Sequence, residues 1–213
     1  MPSLKEGVKK FLLNQGVDLV GFADISNLYE GFNTAIVFAV SEEKLSCLAT
    51  ERSTTFWSFV SFFMDRAAFN LVWFLKKKGH SALTRYMEED YAPIHLQINK
   101  TDDKIESNQR FPHVELASKA GLGTRGKMKR LVTPEYGPRL WLMSVLTDAI
   151  VSYDTPQDFN PCKDCNACVD ACPYLQNQKS NAPITDCWLC NARICIHICP
   201  VGKTMGVNKK RGE

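Results

Sequence analysis

Eight of the nine cysteines in this chain of 213 residues lie between Cys162 and Cys199. The first four occur in the sequence CKDCNACVDACP, where gaps of two, two and three residues separate the cysteines and a proline follows the last one. Bacterial ferredoxins use this spacing to hold four-iron four-sulfur clusters, and in two-cluster ferredoxins the fourth cysteine ligates the other cluster. The segment therefore predicts thiolate ligation of iron.

The other four cysteines form a variant of the same motif. The sequence CWLCNARICIHICP keeps the ending C-x3-C-P but lengthens the gap before it to four residues. If the fourth cysteines are exchanged as in ferredoxins, the chain holds two four-iron four-sulfur clusters. The predicted ligands are Cys162, Cys165, Cys168 and Cys199 for the first cluster, and Cys172, Cys187, Cys190 and Cys195 for the second. Zinc in four-cysteine sites is the alternative, although zinc-binding C-x2-C pairs normally occur singly.

Two clusters with interleaved ligands must lie close together, which favours a relay of single electrons between an external donor and the N-terminal part of the chain. A purely structural or sensing role is the alternative. Cys47 is distant in sequence and is interpreted as a small buried residue. Crowded thiols fit metal ligation in a reducing compartment better than disulfides.

Charge and hydropathy exclude several other classes of protein. The formal net charge is +3, which does not argue for nucleic acid binding. The first sixteen residues lack the apolar centre of a secretory signal, and no run of 18 apolar residues occurs. The sequence therefore predicts a cytoplasmic protein without a membrane segment.

A glycine-rich segment, GLGTRGK at 121–127, matches two nucleotide-binding patterns. As G-x-G-x-x-G it should follow a strand and open a helix, whereas here a predicted helix precedes it. As a P-loop it should continue with Ser or Thr, and residue 128 is Met. What remains is a loop where backbone can approach a ligand closely, with a simple helix-to-strand turn as the alternative.

Hydrophobic periodicity predicts an α+β domain before the cysteines. Expected helices cover 4–15, a long stretch from about 53 to 78, and 113–120. Expected strands cover 17–23, 34–40 and 140–147, of which the second is expected to be buried on both faces and the third is also expected to be buried. Residues 152–161 lack any period and predict a linker. We therefore expect a first domain at 1–155 and a cysteine module at 156–213.

The stretch ELASKAGLGTRGKMKRLVTPEYGPRLWLMSVLTDA at 115–149, followed by the two cysteine motifs, resembles epoxyqueuosine reductases and reductive dehalogenases. The segments VDLVGFADI and TAIVFAV also resemble the start of that family. The resemblance implies a nitroreductase-like domain that cradles a corrinoid (cobalamin), which the adjacent clusters reduce. The residues that would then bind the corrinoid are Gly121, Leu122, Gly123, Thr124, Gly126, Lys127, Thr147 and Asp148.

The sequence also departs from that family. The family's RGRDYH-like run, which carries the acidic proton donor, has no counterpart in SALTRYMEEDYAPIHLQINK, so no catalytic residue is assigned. The chain ends 14 residues after Cys199, where the family continues into a tRNA-engaging domain, which argues against a tRNA substrate. The expected function is an iron-sulfur oxidoreductase that takes electrons from an external low-potential donor and reduces a corrinoid or small molecule. The alternative is a non-catalytic electron carrier or corrinoid-activating partner.

Overall fold

The computed structural model describes residues 2–46, 54–84, 112–172 and 194–202. The helices in these ranges are α1 Leu4–Leu13, α2 Glu42–Ser46, α3 Thr54–Lys77, α4 His113–Lys119, α5 Ala167–Ala171 and α6 Ile194–Ile198. The strands are β1 Leu19–Asp24, β2 Thr34–Ser41, β3 Ala82–Thr84, β4 Thr124–Arg125, β5 Leu131–Val132 and β6 Leu140–Thr147.

A four-stranded antiparallel sheet in the order β1-β2-β6-β3 forms the centre of the fold. Strands β2 and β6 pair along their whole length, from Thr34 opposite Thr147 to Ser41 opposite Leu140. Every residue of both strands is buried. Burial on both faces explains why these segments are continuous apolar runs, and the predicted burial of the 34–40 strand is confirmed.

The two faces of the sheet carry separate hydrophobic cores. Side chains alternate along a strand, so Ile36 and Phe38 point to one face and Val37 and Ala39 to the other. The first face packs against α1 and α3, and the second packs against α4. Because β2 has no polar face, both sides of the sheet must be covered, and the helices cover them.

The predicted helices and buried strands are confirmed within the described residues. Ser3 caps α1 in a reciprocal box with Glu6, which satisfies free backbone N–H groups at the helix start. Lys76 and Lys77 lie in the last turn of α3, where positive charge is favourable, and Gly79 follows with φ of +87°. The polar composition of residues 99–110 predicts a loop, and this segment lies outside the described residues.

The predicted linker has no regular secondary structure but is bound to the edge of the sheet. The backbone N–H of Asp154 donates to Phe22 O at 2.8 Å, and the N–H of Phe22 donates to Asp154 Oδ2 at 3.0 Å. Lys5 Nζ lies 2.6 Å from the other carboxylate oxygen. The chain therefore enters the cysteine motif from a fixed point beside β1.

The glycine-rich loop at 121–127 follows α4 and contains β4, which pairs with β5 in a small hairpin. A helix precedes the loop and a strand follows it, so it lacks the context of either nucleotide-binding pattern. No helix among the described residues is long and apolar enough to cross a membrane. The observed fold is a mixed α/β fold with an antiparallel sheet, which agrees with the α+β prediction. Its nitroreductase-like character and the domain boundary at 155 stay predictions.

Candidate metal centre

Four thiols from distant parts of the chain line one cavity. Cys162, Cys165 and Cys168 come from the turn before α5 and from α5 itself, and Cys199 directly follows α6. The cavity between these side chains is small, with a volume of about 10 Å³. Its other lining residues are Met128, Pro161, Ala167, Pro200 and Val201. The four cysteines are those that the exchanged-ligand rule assigns to the first cluster.

Burial and mutual repulsion shape the chemistry of these thiols. Burial raises the pKa of the Cys168 thiol, and the negative charges of Cys162, Cys199 and Cys165 raise it further. Burial also raises the pKa of Cys199, while a hydrogen bond from the Val201 backbone and the charge of Arg139 lower it. Thiols must lose their protons to bind metal. A bound cation would offset the repulsion between the resulting thiolates.

The second predicted ligand set is described only in part. Cys172 lies half-buried at the end of α5. Cys195 lies on α6 and packs against the small cluster of Met128, Ile196 and the buried cysteines. Cys187 and Cys190, like Cys47, lie outside the described residues. Within the described ranges, no three Cys, His, Asp or Glu side chains are grouped as ligands of a single metal ion.

The end of the glycine-rich loop contacts the first cysteine motif. Lys127 Nζ donates to the Cys165 carbonyl at 2.9 Å and to Asn166 Oδ1 at 2.7 Å. A Cβ added to Gly126 would lie 3.3 Å from Cys162 Sγ and 2.7 Å from a Val132 methyl group. Glycine is therefore needed at 126 because the thiol and the hairpin approach its backbone closely.

Arg139, which precedes β6, contacts the second cysteine motif. Its Nη1 donates to the carbonyls of Ile196 at 3.2 Å and Cys199 at 3.3 Å, and its Nη2 donates to the carbonyl of Val201. Burial lowers the pKa of Arg139, and the nearby Cys199 thiolate raises it. A single guanidinium thus fixes the backbone on both sides of Cys199.

Two glycines allow the turn before β6 and the turn after α6 to contact each other. Gly137 has φ of +59° and Gly202 has φ of +70°. A Cβ on Gly202 would lie 2.3 Å from the backbone nitrogen of Gly137 and 2.4 Å from the carbonyl carbon of Tyr136. This backbone-to-backbone contact leaves no room for a side chain. We call it the Gly137–Gly202 contact.

The first part of the glycine-rich loop lies beside an open groove. Gly123 and Thr124 line the groove, which holds about 300 Å³, together with Glu115, Ser118, Arg125, Pro156 and Gln157. Arg125 Nη1 lies 3.0 Å from Glu115 Oε1 at its rim. Leu122 is buried in the core beneath α4. Added Cβ atoms at Gly121 and Gly123 would meet the carbonyl oxygens of Thr155 and Val132, so backbone of this chain already approaches both glycines.

Thr147 and Asp148 have different neighbours from the loop. Thr147 Oγ1 donates to Ser81 O at 2.8 Å. Asp148 Oδ1 accepts from Ser81 N at 3.0 Å and lies 3.4 Å from His80 Nδ1. These contacts tie the end of β6 to the segment before β3. The eight predicted corrinoid contacts thus divide among the groove, the cysteine module, the buried core and the β3 segment.

Sequence reasoning did not single out Arg139, Gly137 or Gly202 as site residues. The signal was present in TPEYGPR and in the CPVG sequence at 199–202, which place glycine and a cation at turns. Sequence alone did not indicate that these two turns would meet.

Comparisons with known proteins agree with the fold and with the motifs. A scan against protein-family models finds no match. An epoxyqueuosine reductase of Listeria monocytogenes is 45% identical over 60 residues, covering 28% of this chain and 16% of the relative. A tetrachloroethene reductive dehalogenase of Desulfitobacterium hafniense is 29% identical over 176 residues, covering 77% of this chain and 28% of the relative. The chain thus spans less than a third of either relative.

Solved structures of both kinds share the fold. An epoxyqueuosine reductase from Streptococcus thermophilus aligns with a TM-score of 0.61 at 15% identity, covering 93% of this chain and 66% of that one. A reductive dehalogenase whose structure is described as suggesting a mechanism for B12-dependent dehalogenation aligns with a TM-score of 0.61 at 20% identity, covering 80% and 25%. Another epoxyqueuosine reductase, with a TM-score of 0.53, is solved with a modified tRNA stem loop.

The fold class is therefore the mixed α/β fold with an antiparallel sheet that these reductases share. The chain is thus similar in sequence to parts of epoxyqueuosine reductases and reductive dehalogenases, and similar in fold to solved structures of both kinds. The expectation against a tRNA substrate stays a prediction.

Proposed function

We propose that this chain is an iron-sulfur oxidoreductase that passes single electrons through two four-iron four-sulfur clusters to a substrate or cofactor held by its N-terminal part. The observation that carries the proposal is the cavity lined by Cys162, Cys165, Cys168 and Cys199. Its four thiols come from two motifs, as the exchange of fourth ligands in two-cluster ferredoxins requires. Relatives named as reductases support the same chemistry.

The donor set fits a cluster. Four thiolates around an Fe4S4 core of charge +2 carry a net charge of 2 minus 4, or −2. The cavity wall adds apolar atoms from Met128 and Val201, which limit access of water to the site. Lys127 donates to a carbonyl of the first motif and Arg139 to a carbonyl of the second, so each motif has a cation beside it. The site therefore combines thiolate ligands, an apolar wall and compensating charge.

A corrinoid fits the described residues only in part. The groove beside Gly123 and Thr124 is at the lower end of the range for small-molecule pockets, about 300–1,000 Å³. Lys127 and Gly126 contact the cysteine module, and Thr147 and Asp148 contact the segment before β3. Within the proposal, the groove favours Gly123 and Thr124 as contacts for part of such a cofactor. A bound corrinoid would supply cobalt-centred redox chemistry.

The alternative is a non-catalytic electron carrier or corrinoid-activating partner. The observation that favours it is the filled interior of the described N-terminal part, where both faces of β2 and β6 are covered. Cys162 and Cys165 are only half-buried, so a cluster there lies within reach of a partner protein. In either case an external low-potential donor would reduce the clusters.

Metal content and ligand variants test the proposal. Anaerobically purified protein should contain about eight irons and about eight labile sulfides, the content of two four-iron clusters. Cys199→Ser should impair the cluster held by Cys162, Cys165 and Cys168, whereas Cys47→Ser, the matched control, should keep full iron content. Zinc without sulfide would contradict the proposal. A Cys199→Ser protein with both cluster signals intact would contradict the ligand assignment.

Titration with cob(II)alamin under reducing conditions separates the two roles. Spectral changes on binding that are reduced in Thr124→Trp, whose larger side chain would fill part of the groove, with unchanged iron content and thermal melt, support a corrinoid site at the groove. Absence of binding by the iron-loaded wild type favours the electron-carrier role.

A further inference from the structure

We propose that Lys127 and Arg139 are positioning residues that hold the two halves of the first ligand set on the N-terminal part and raise the reduction potential of the cluster bound there. The inference rests on the proposed function, because it requires a cluster at Cys162, Cys165, Cys168 and Cys199.

Lys127 and Arg139 make similar contacts, each with the backbone of one cysteine motif. Lys127 follows the glycine-rich loop and donates to the carbonyl of Cys165, at 2.9 Å. Arg139 precedes β6 and donates to the carbonyl of Cys199, at 3.3 Å. Cys165 belongs to the first cysteine motif and Cys199 to the second. Each cation therefore fixes one of the two chain segments that must meet around a single cluster.

The remaining contacts strengthen this positioning. Asn166 Oδ1 accepts a second bond from Lys127 at 2.7 Å, so the ammonium spans two successive residues of the motif. Arg139 donates to three carbonyls between Ile196 and Val201, and its planar guanidinium restricts their relative orientation. The Gly137–Gly202 contact brings the turn before β6 and the turn after α6 together, so Arg139 can reach these carbonyls. Cys199 is thus oriented by residues of the N-terminal part.

The charges of both side chains remain available to the cluster. In the parts of the chain that the structure describes, the ion pairs involve other cations, and the acceptors of Lys127 and Arg139 are carbonyl and amide oxygens. Both side chains are half-buried, where the effective dielectric constant is lower than that of water. A cation here interacts more strongly with a cluster than a surface lysine does.

Electrostatics then sets the direction of the effect. When the cluster accepts one electron, one iron pair is reduced and the net charge of core and thiolates goes from −2 to −3, with no atom transferred. A nearby positive charge stabilises the −3 state more than the −2 state. Lys127 and Arg139 therefore favour the reduced cluster, and removal of either charge should shift its midpoint potential to more negative values.

The experiment is an anaerobic redox titration with dithionite, followed by electron paramagnetic resonance, on the full chain. The signal of the first cluster is the one lost in Cys168→Ser. At a fixed potential, Arg139→Gln should lower the ratio of reduced to oxidised first cluster about tenfold, which equals a shift of about 59 mV for one electron. Lys127→Gln should also shift the midpoint potential to more negative values. Arg139→Lys, which keeps the positive charge, should recover most of the shift caused by Arg139→Gln.

Lys10→Gln is the matched control, because Lys10 is an exposed lysine on α1. It removes the same charge and should keep the wild-type potential. Unchanged potentials in iron-loaded Arg139→Gln and Lys127→Gln proteins would overturn the inference. If Arg139→Gln fails to assemble the cluster, Lys127→Gln decides the matter: a more negative potential supports the inference and a wild-type potential overturns it. A wild type without iron would overturn the proposed function itself, which a shift among variants cannot mimic.

Discussion

The central sheet and the cysteine module are stabilised in different ways. Strands β2 and β6 are buried over all eight of their positions, and each face contributes to a large apolar core. The described part of the module has two five-residue helices and three buried residues, Cys168, Ile196 and Cys199, which cluster with Met128 of the N-terminal part. Such a small core buries too little apolar surface to offset the entropy of ordering the chain. The comparison indicates that the sheet is stabilised by hydrophobic burial, and it supports our proposal that the module is stabilised by bound metal and by its contacts with the sheet.

The largest expected effect comes from removing the metal. Chelation of iron after oxidation should abolish protection from hydrogen exchange at 161–172 and 194–202 and leave protection in β2 and β6, because ligand bonds supply most of the module's stability. Exchange followed by mass spectrometry of peptides measures both regions in one sample. If β2 and β6 lose protection together with the module, the two regions do not differ as described.

A substitution in the core of the sheet should destabilise the sheet rather than the module. Phe38→Ala removes a fully buried ring from the face of the sheet that packs against α1 and α3, and it should lower the free energy of unfolding by about 3–5 kcal/mol. The matched control is Phe69→Ala on α3, whose side chain is 67% exposed, and we expect a change within about 0.5 kcal/mol. Urea denaturation followed by circular dichroism measures both variants. Equal losses would contradict the assignment of stability to the sheet core.

The smallest expected effect concerns the junction between the two regions. Gly31 and Gly202 both have positive φ, but a Cβ on Gly31 meets nothing within 4 Å. Gly31→Ala should therefore cost only the backbone strain, about 1–2 kcal/mol. Gly202→Ala adds a collision with the backbone of Tyr136 and Gly137 and should in addition lower the iron retained by the Cys199 site. Iron analysis beside a thermal melt separates the two effects, and equal iron content in both variants would remove the proposed role of the junction.

Local patterns were sufficient for most of the described elements. The apolar run of β2 predicted a strand covered on both faces, and glycines at 16, 79 and 121 marked the ends of three helices. These features depend on side-chain periodicity and on backbone conformations that glycine adopts most readily, which are properties of neighbouring residues. The glycine-rich loop was harder, because the same residue pattern serves a ligand site or a close approach of protein backbone.

The sequence by itself determined the cysteine spacing, the apolar strands and the helix ends, because each is encoded within a few consecutive residues. The spacing of the two motifs already predicted that Cys199 shares a site with the first three cysteines. Only the tertiary structure decided that Lys127 and Arg139 each contact the backbone of one motif. It also decided that Thr155 and Val132 approach Gly121 and Gly123. These contacts join residues tens of positions apart. Their geometry depends on how the sheet, the hairpin and the bound linker pack together. A local sequence pattern carries no information on that packing.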